Sequence, residues 1–145
     1  MGLRLAFGPM TANSENRIRI LIADDHELMR HGLRSMLSTR PDWEVCGEAV
    51  NGREAIEKTR LLRPDILLLD ITMPNMSGLD VARAVSREIP ATQVLILSQH
   101  EESDMRPHAL EAGARGYVSK SEAARQLLTA IESLVTRKVH ASQST

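Results

Sequence analysis

Cysteine is almost absent from this chain. The one example, Cys46, excludes an internal disulfide and any thiolate cluster for zinc, suits a reducing cytoplasm, and reads as a small buried apolar residue. Aromatic residues are equally scarce, with one Phe, one Tyr and one Trp. The core must therefore come from Leu, Ile, Val, Ala and Met, which suits helices on a strand layer, and stacking of bases on aromatic rings is excluded as the chain's main business. No sign of charge dominates. Eighteen basic against nineteen acidic residues give a net charge of -1, so there is neither a basic nucleic-acid footprint nor an acidic tail at whole-chain level. No apolar run approaches membrane-spanning length, and residues 1–17 lack the apolar segment of a secretory signal. These absences predict a soluble, cytoplasmic protein without membrane contact, whose partners are chosen by a local site.

What is present is alternation. The 145 residues fit one domain, expected over 17–138, after a short turn-rich extension at 1–16 and before a polar tail or linker start at 139–145. Short apolar runs at 18–22, 43–50, 66–69, 94–97 and 117–118 have strand length, and the third and fourth lack polar alternation, as expected of strands covered on both faces. Between them lie helical stretches at 26–38, 52–62, 77–87, 103–112 and 121–136. Pro107 weakens the fourth, and Ser121 is placed to cap the fifth. Five strands alternating with five helices predict an α/β domain, a doubly wound parallel sheet built with right-handed crossovers. In such sheets the sites lie beyond the carboxyl ends of the strands, where the strand order reverses.

The predicted strand ends carry Asp24 and Asp25 after the first, Asp70 after the third, Ser98 after the fourth and Lys120 after the fifth. One such acid would mean little, because Asp also begins turns. Three carboxylates, a hydroxyl and an amine at four strand ends are a set. If they converge, three carboxylates against one ammonium leave a charge of -2, and a cluster of hard oxygens with that charge calls for magnesium. His26 and His100 flank the cleft without metal-ligand spacing and read as surface or supporting groups. A carboxylate beside a magnesium ion is able to attack phosphorus and form an acyl phosphate, while a lysine offsets charge on the phosphoryl oxygens.

The residues that carry this chemistry resemble receiver domains of two-component response regulators, of the NarL/FixJ type within the LuxR family. The match covers Ile20 to His26, Pro64 to Pro74, Ser77-Gly78, Leu95 to Ser98 and Gly113 to Lys120. The resemblance implies a flavodoxin-like fold and a phosphorylation-dependent switch in which Asp70 accepts a phosphoryl group from a sensor histidine kinase. It implies that Asp25, Asp70 and the backbone carbonyl of Thr72 hold Mg2+, with Asp24 acting mainly through a bound water. Lys120 would pair with Asp70 and then with the phosphoryl group; Ser98 would hydrogen-bond a phosphoryl oxygen, and Tyr117 would follow its loop into the space vacated. Pro74 and Gly78 need only shape a turn.

Some residues depart from the family's pattern. Ser121 stands where many receivers have a proline, Gln99 where many have a small residue, so that its amide is expected to crowd the cleft, and Thr72 and His100 are placed to influence access of water to the acyl phosphate. The resemblance further implies a homodimer, formed through the first and last helices or through the face of the fourth helix, fifth strand and fifth helix. DNA would be reached only through a helix-turn-helix output domain outside this chain; the alternative is a stand-alone receiver that signals by protein contact. Two rivals remain at this stage. A phosphatase of the haloacid-dehalogenase kind carries a second Asp two residues after its nucleophile, where this chain has Thr72. A receiver-like module that is never phosphorylated would have no need of the complete acid set.

Overall fold

The computed structural model describes residues 17–99 and 102–144, the side chains of 102–104 and 137–144 excepted. The expected extension at 1–16, together with His100, lies outside them. Five strands, β1 (Ile18–Ala23), β2 (Trp43–Ala49), β3 (Ile66–Asp70), β4 (Gln93–Ser98) and β5 (Gly116–Ser119), alternate with helices α1 (Glu27–Leu37), α2 (Gly52–Leu62), α3 (Gly78–Glu88), α4 (Glu102–Glu111) and α5 (Ala123–Ser144). All strand pairings are parallel and the order is β2-β1-β3-β4-β5. The chain leaves β1 toward one edge and then crosses back to β3, so the order reverses around β1, as the predicted doubly wound sheet requires.

Side chains alternate across the sheet. Leu21, Leu67, Leu69, Val94, Ile96 and Tyr117 pack with Ala55, Val81, Val85 and Ala109 of α2, α3 and α4. Ile20, Ile22, Leu68, Leu95 and Leu97 pack with Leu33 and Leu37 of α1 and Leu127, Ile131 and Leu134 of α5. Each fully buried Leu or Ile contributes about 1.5–3 kcal/mol relative to exposure, so the two layers together hold the strand ends in fixed relation. Cys46 is partly buried against the first layer, at a shift of register between β1 and β2.

Local chemistry sets the helix ends. Asn51 caps α2 by accepting from the Glu54 amide at 2.8 Å, and Glu54 returns a bond to the Val50 amide at 3.0 Å. Arg63 then takes a left-handed conformation, φ 49°, before Pro64 prevents continuation. Ser77 caps α3. Pro107 sits inside α4, which forms in spite of it. Two boundaries differ from expectation. Residues Lys120–Glu122 form one 3-10 turn before α5, and Ser121 Oγ, instead of capping that helix, lies 3.0 Å from Ser119 Oγ. At its far end α5 passes Thr136 and runs to Ser144, across the expected start of a polar tail; no Gly or Pro stops it there. Among the described residues no helix is long and apolar enough to cross a membrane.

Gly78 is placed by contact rather than by backbone conformation. A Cβ there would stand 2.5 Å from Ile71 Cα and 2.6 Å from the Asp70 carbonyl oxygen, both backbone atoms of the segment that follows β3. The Gly78 amide also donates to the Ile71 carbonyl at 2.8 Å. Gly78→Ala is therefore expected to push this segment off α3 and cost about 1–3 kcal/mol, read as a lowered denaturation midpoint. An unchanged midpoint would show that the approach is not limiting.

Candidate functional site

At the carboxyl edge of the sheet, the segments after β1, β3 and β5 meet. Asp24 continues β1, its amide donating to the Ala49 carbonyl at 3.0 Å, and its side chain is almost completely buried. Asp70 closes β3 and is buried to 3% exposure, while Asp25 keeps 28% of its side chain exposed. Lys120, just beyond β5, reaches inward, with Nζ 3.0 Å from Asp24 Oδ2 and 3.5 Å from Asp70 Oδ2. These approaches are ion pairs without hydrogen-bond geometry. Asp24 Oδ2, Asp25 Oδ1 and Asp70 Oδ2 stay buried with no hydrogen-bond partner among the described residues.

Two of these oxygens face the Lys120 ammonium and the third lies 3.2 Å from His26 Nδ1, but three carboxylates against one ammonium leave an excess of negative charge that a cation would offset. One oxygen each from Asp24, Asp25 and Asp70 and one His26 nitrogen all lie within 4.8 Å of one another. The donor set fits a divalent cation. Thr72 follows Asp70 and donates its amide to Asp70 Oδ1 at 3.2 Å. Burial pushes the Asp70 carboxyl above its ordinary range; the Thr72 amide and Lys120 act the other way, but Asp24 and Asp25 add to the upward shift.

Ser98 ends β4 fully buried and pairs in register with Ser119 of β5, while Asp70 is level with Leu97. It thus stands one position beyond Asp70 on the neighbouring strand. Tyr117 does not line the cleft. It is buried at 4% exposure among the residues under α2, α3 and α4, paired in register with Ile96. Gln99, expected to crowd the cleft, is exposed at the bend after β4.

Residues missed by sequence reasoning hold the site together. Arg30 of α1, with 14% of its side chain exposed, donates from Nη1 to the Asp24 carbonyl and from Nε to Glu48 Oε1 of β2, both at 2.7 Å. Arg34, one turn later, bonds the other Glu48 oxygen. Burial pushes the Glu48 carboxyl up, but hydrogen bonds from Arg34 and Arg30 outweigh it and hold the group below the usual carboxylate range. The spacing of Arg30 and Arg34 was a visible signal; their partner, in another strand, was not. His26 belongs to the cluster more closely than its reading as a flanking group, with Nδ1 3.1 Å from Asp24 Oδ1 and 3.2 Å from Asp25 Oδ1.

A profile of the response regulator receiver domain matches residues 20–132. The chain belongs to this receiver family. Among curated relatives it is 36% identical over 119 residues to the transcriptional regulatory protein DegU of Brevibacillus brevis, covering 82% of this chain and 50% of that protein. It is 38% identical over 114 residues to the response regulator protein VraR of Staphylococcus aureus, covering 79% of this chain and 54% of that protein. A solved LuxR-family two-component response regulator from Aurantimonas superposes with a TM-score of 0.79 at 36% identity, covering 83% of this chain and 86% of that one. The receiver thus resembles LuxR-family and NarL-type regulators, and it spans about half the length of the curated relatives it matches.

The raised Asp70 carboxyl fixes the sign of one measurement. Its folded value lies above its unfolded value, so the unfolded chain releases that proton first and the linked destabilisation grows as pH rises through the unfolded value toward the folded one. In EDTA, Asp70→Asn is expected to stabilise the receiver by about 1–3 kcal/mol at neutral pH, with the gain shrinking in acid. Lys120 keeps Asp24 as a partner in that variant. Denaturation of both proteins across pH checks this, and a destabilised variant at neutral pH would contradict it.

Proposed function

We propose that this receiver is a phosphorylation switch in which Asp70 is the phosphoacceptor. The observation that carries the reading is the pair of buried carboxylates, Asp24 and Asp70, both ion-paired to the Lys120 ammonium at the switch point of the sheet. An Asp70 oxygen forms a bond to phosphorus while the phosphorus–nitrogen bond of a kinase phosphohistidine breaks, and the departing imidazole nitrogen keeps the electron pair and takes a proton. Asp25, Asp70 and the Thr72 carbonyl would hold Mg2+, with Asp24 acting through a water. When bound, the ion offsets the negative charge that builds on the phosphoryl oxygens.

Lys120 is already within 3.5 Å of Asp70, where its ammonium balances the carboxylate before transfer and the acyl phosphate afterwards. Ser98, one position beyond Asp70 on β4, supplies a hydroxyl to a phosphoryl oxygen and draws the following loop with it. Tyr117, level with Ile96 of β4, would follow into the space vacated. Burial favours the protonated Asp70 carboxyl, and a bound cation would favour the ionised nucleophile.

The receiver acts as phosphoacceptor and assists only its own phosphorylation and dephosphorylation. Thr72, where haloacid-dehalogenase phosphatases carry a second Asp, leaves no group there for turnover of phosphate esters. In the cytoplasm a sensor histidine kinase is the donor, the switched form is a homodimer, and the output is transcription through a DNA-binding output domain, with a receiver that signals by protein contact as the alternative. The functional domain is 17–138. This wider reading is supported by the LuxR-family relatives, of which DegU is by name a transcriptional regulator.

With acetyl phosphate and Mg2+, intact mass spectrometry is expected to show one added phosphoryl group, absent from Asp70→Asn. A variant that still gains it would move the acceptor elsewhere. Wild type that gains none, yet binds a partner as well as Asp70→Asn does, would favour a module that is never phosphorylated. Lys120→Ala is expected to slow the same reaction by about a hundredfold, measured by mass or by phosphate-affinity electrophoresis.

A further inference from the structure

The turn from β1 into α1 carries two of the three acids, and its first residue is held from β2 by two routes. The Asp24 amide donates to the Ala49 carbonyl at 3.0 Å, a backbone bond from the end of one strand to the end of its neighbour. The Asp24 carbonyl accepts from Arg30 Nη1 at 2.7 Å, and the same guanidinium donates from Nε to Glu48 Oε1 at 2.7 Å. Glu48 precedes Ala49 in β2, stands in register with Ile22, and accepts at its own carbonyl from Lys58 of α2. The backbone of Arg30 is fixed as well, its amide donating to the His26 carbonyl at 3.0 Å in the first turn of α1.

These bonds reach further than a brace between a helix and a strand. The Asp24 carbonyl and the Asp25 amide share one planar peptide group, so holding the carbonyl fixes the plane from which Asp25 continues. Only 14% of the Arg30 side chain is exposed, and a hydrogen bond shielded from water is electrostatically stronger. Arg34 offers an internal comparison. Its side chain bonds the other Glu48 oxygen, from Nε at 2.8 Å and Nη2 at 2.6 Å, is 48% exposed, and is paired with Glu48 rather than with Asp24.

We propose that Arg30 is a positioning residue of the cation site, aimed by Glu48 and acting on Mg2+ through the backbone of the Asp24–Asp25 turn without touching the ion. The proposal rests on the reading of the acidic cluster as an Mg2+ site. Mg2+ demands near-ideal octahedral geometry and tolerates little displacement of its carboxylates. A turn held at both amide and carbonyl therefore binds it more tightly than a turn held at the amide alone.

The test is calorimetric Mg2+ titration of wild type, Arg30→Gln, Arg34→Gln, Glu48→Gln and the double variant Arg30→Gln/Glu48→Gln, each well below its denaturation midpoint in EDTA. Arg30→Gln is expected to weaken Mg2+ binding by about tenfold, as loss of a group that orients a ligand does. Coulomb interaction alone predicts the opposite sign, because removing a nearby positive charge favours a cation. Arg34→Gln is expected to weaken binding by less than about threefold, and the double variant to bind as Arg30→Gln does, since Glu48 acts through Arg30. Unchanged or tighter binding by Arg30→Gln overturns the proposal and leaves the cation site standing. Equal weakening by Arg34→Gln, or additive losses in the double variant, does the same. If Arg30→Gln fails to fold, Glu48→Gln decides: a loss of at least about threefold supports the proposal, and wild-type affinity overturns it. Failure of wild type to bind Mg2+ overturns the cation reading and this proposal with it.

Discussion

Everything at the carboxyl edge of this sheet depends on like charge held close in a place with little water. Asp24 and Asp70 are buried, Asp25 is near them, and among the described residues Lys120 is the ammonium paired with them. Unit charges about 4 Å apart interact by roughly 4 kcal/mol at the effective dielectric of a protein surface, so an unmatched carboxylate is a large local term beside a marginal folding free energy. The chain cannot relax it by moving the acids outward. Asp24 and Asp70 are held at the ends of strands whose neighbours on both faces are closely packed, and the excess is left for a cation or a transferred group to answer. Binding and stability are coupled for that reason.

The scaffold converts this tension into position. Leu67, Leu69, Ile96 and Tyr117 on one face and Ile22, Leu68 and Leu97 on the other fix β3 between its neighbours, so Asp70 arrives at the cleft with little freedom. The segment after it is held by α3 through the close approach at Gly78. Ser98 ends the next strand, in register with Ser119 of β5, and Lys120 follows Ser119. Four strand ends therefore meet because the sheet is parallel, and the reversal of order around β1 opens the space they line.

Much of this was legible in the sequence. Asp70 and Ser98 stand out because each follows an apolar run without polar alternation, as expected of a covered strand, and Lys120 because it follows the short run at 117–118. The same logic found both acids after β1. What escaped depends on tertiary closure. Nothing in the spacing of His26 reveals that its ring folds back on Asp24, since the choice between capping α1 and meeting a carboxylate is made by local backbone angles. Glu48 sits in β2, far along the chain from the arginines that surround it. The extent of α5 was hidden by polar composition, because Ala, Ser and Gln sustain a helix already nucleated as readily as they fill a tail. The burial of Tyr117 on β5 was likewise set by the packing of α2, α3 and α4 against that face, which the short run at 117–118 does not show.

Arg30 joins three parts of the chain through one planar group. Its guanidinium touches the Asp24 carbonyl at the end of β1 and the Glu48 carboxylate on the edge strand β2, and its backbone belongs to α1. A lysine has the same charge and similar length but directs its donors from a single point, without the fork that spans two acceptors. The exchange of arginine for lysine that surfaces tolerate freely is therefore closed at this position, and the geometry of the acids is inherited through the shape of a cation as well as through its sign.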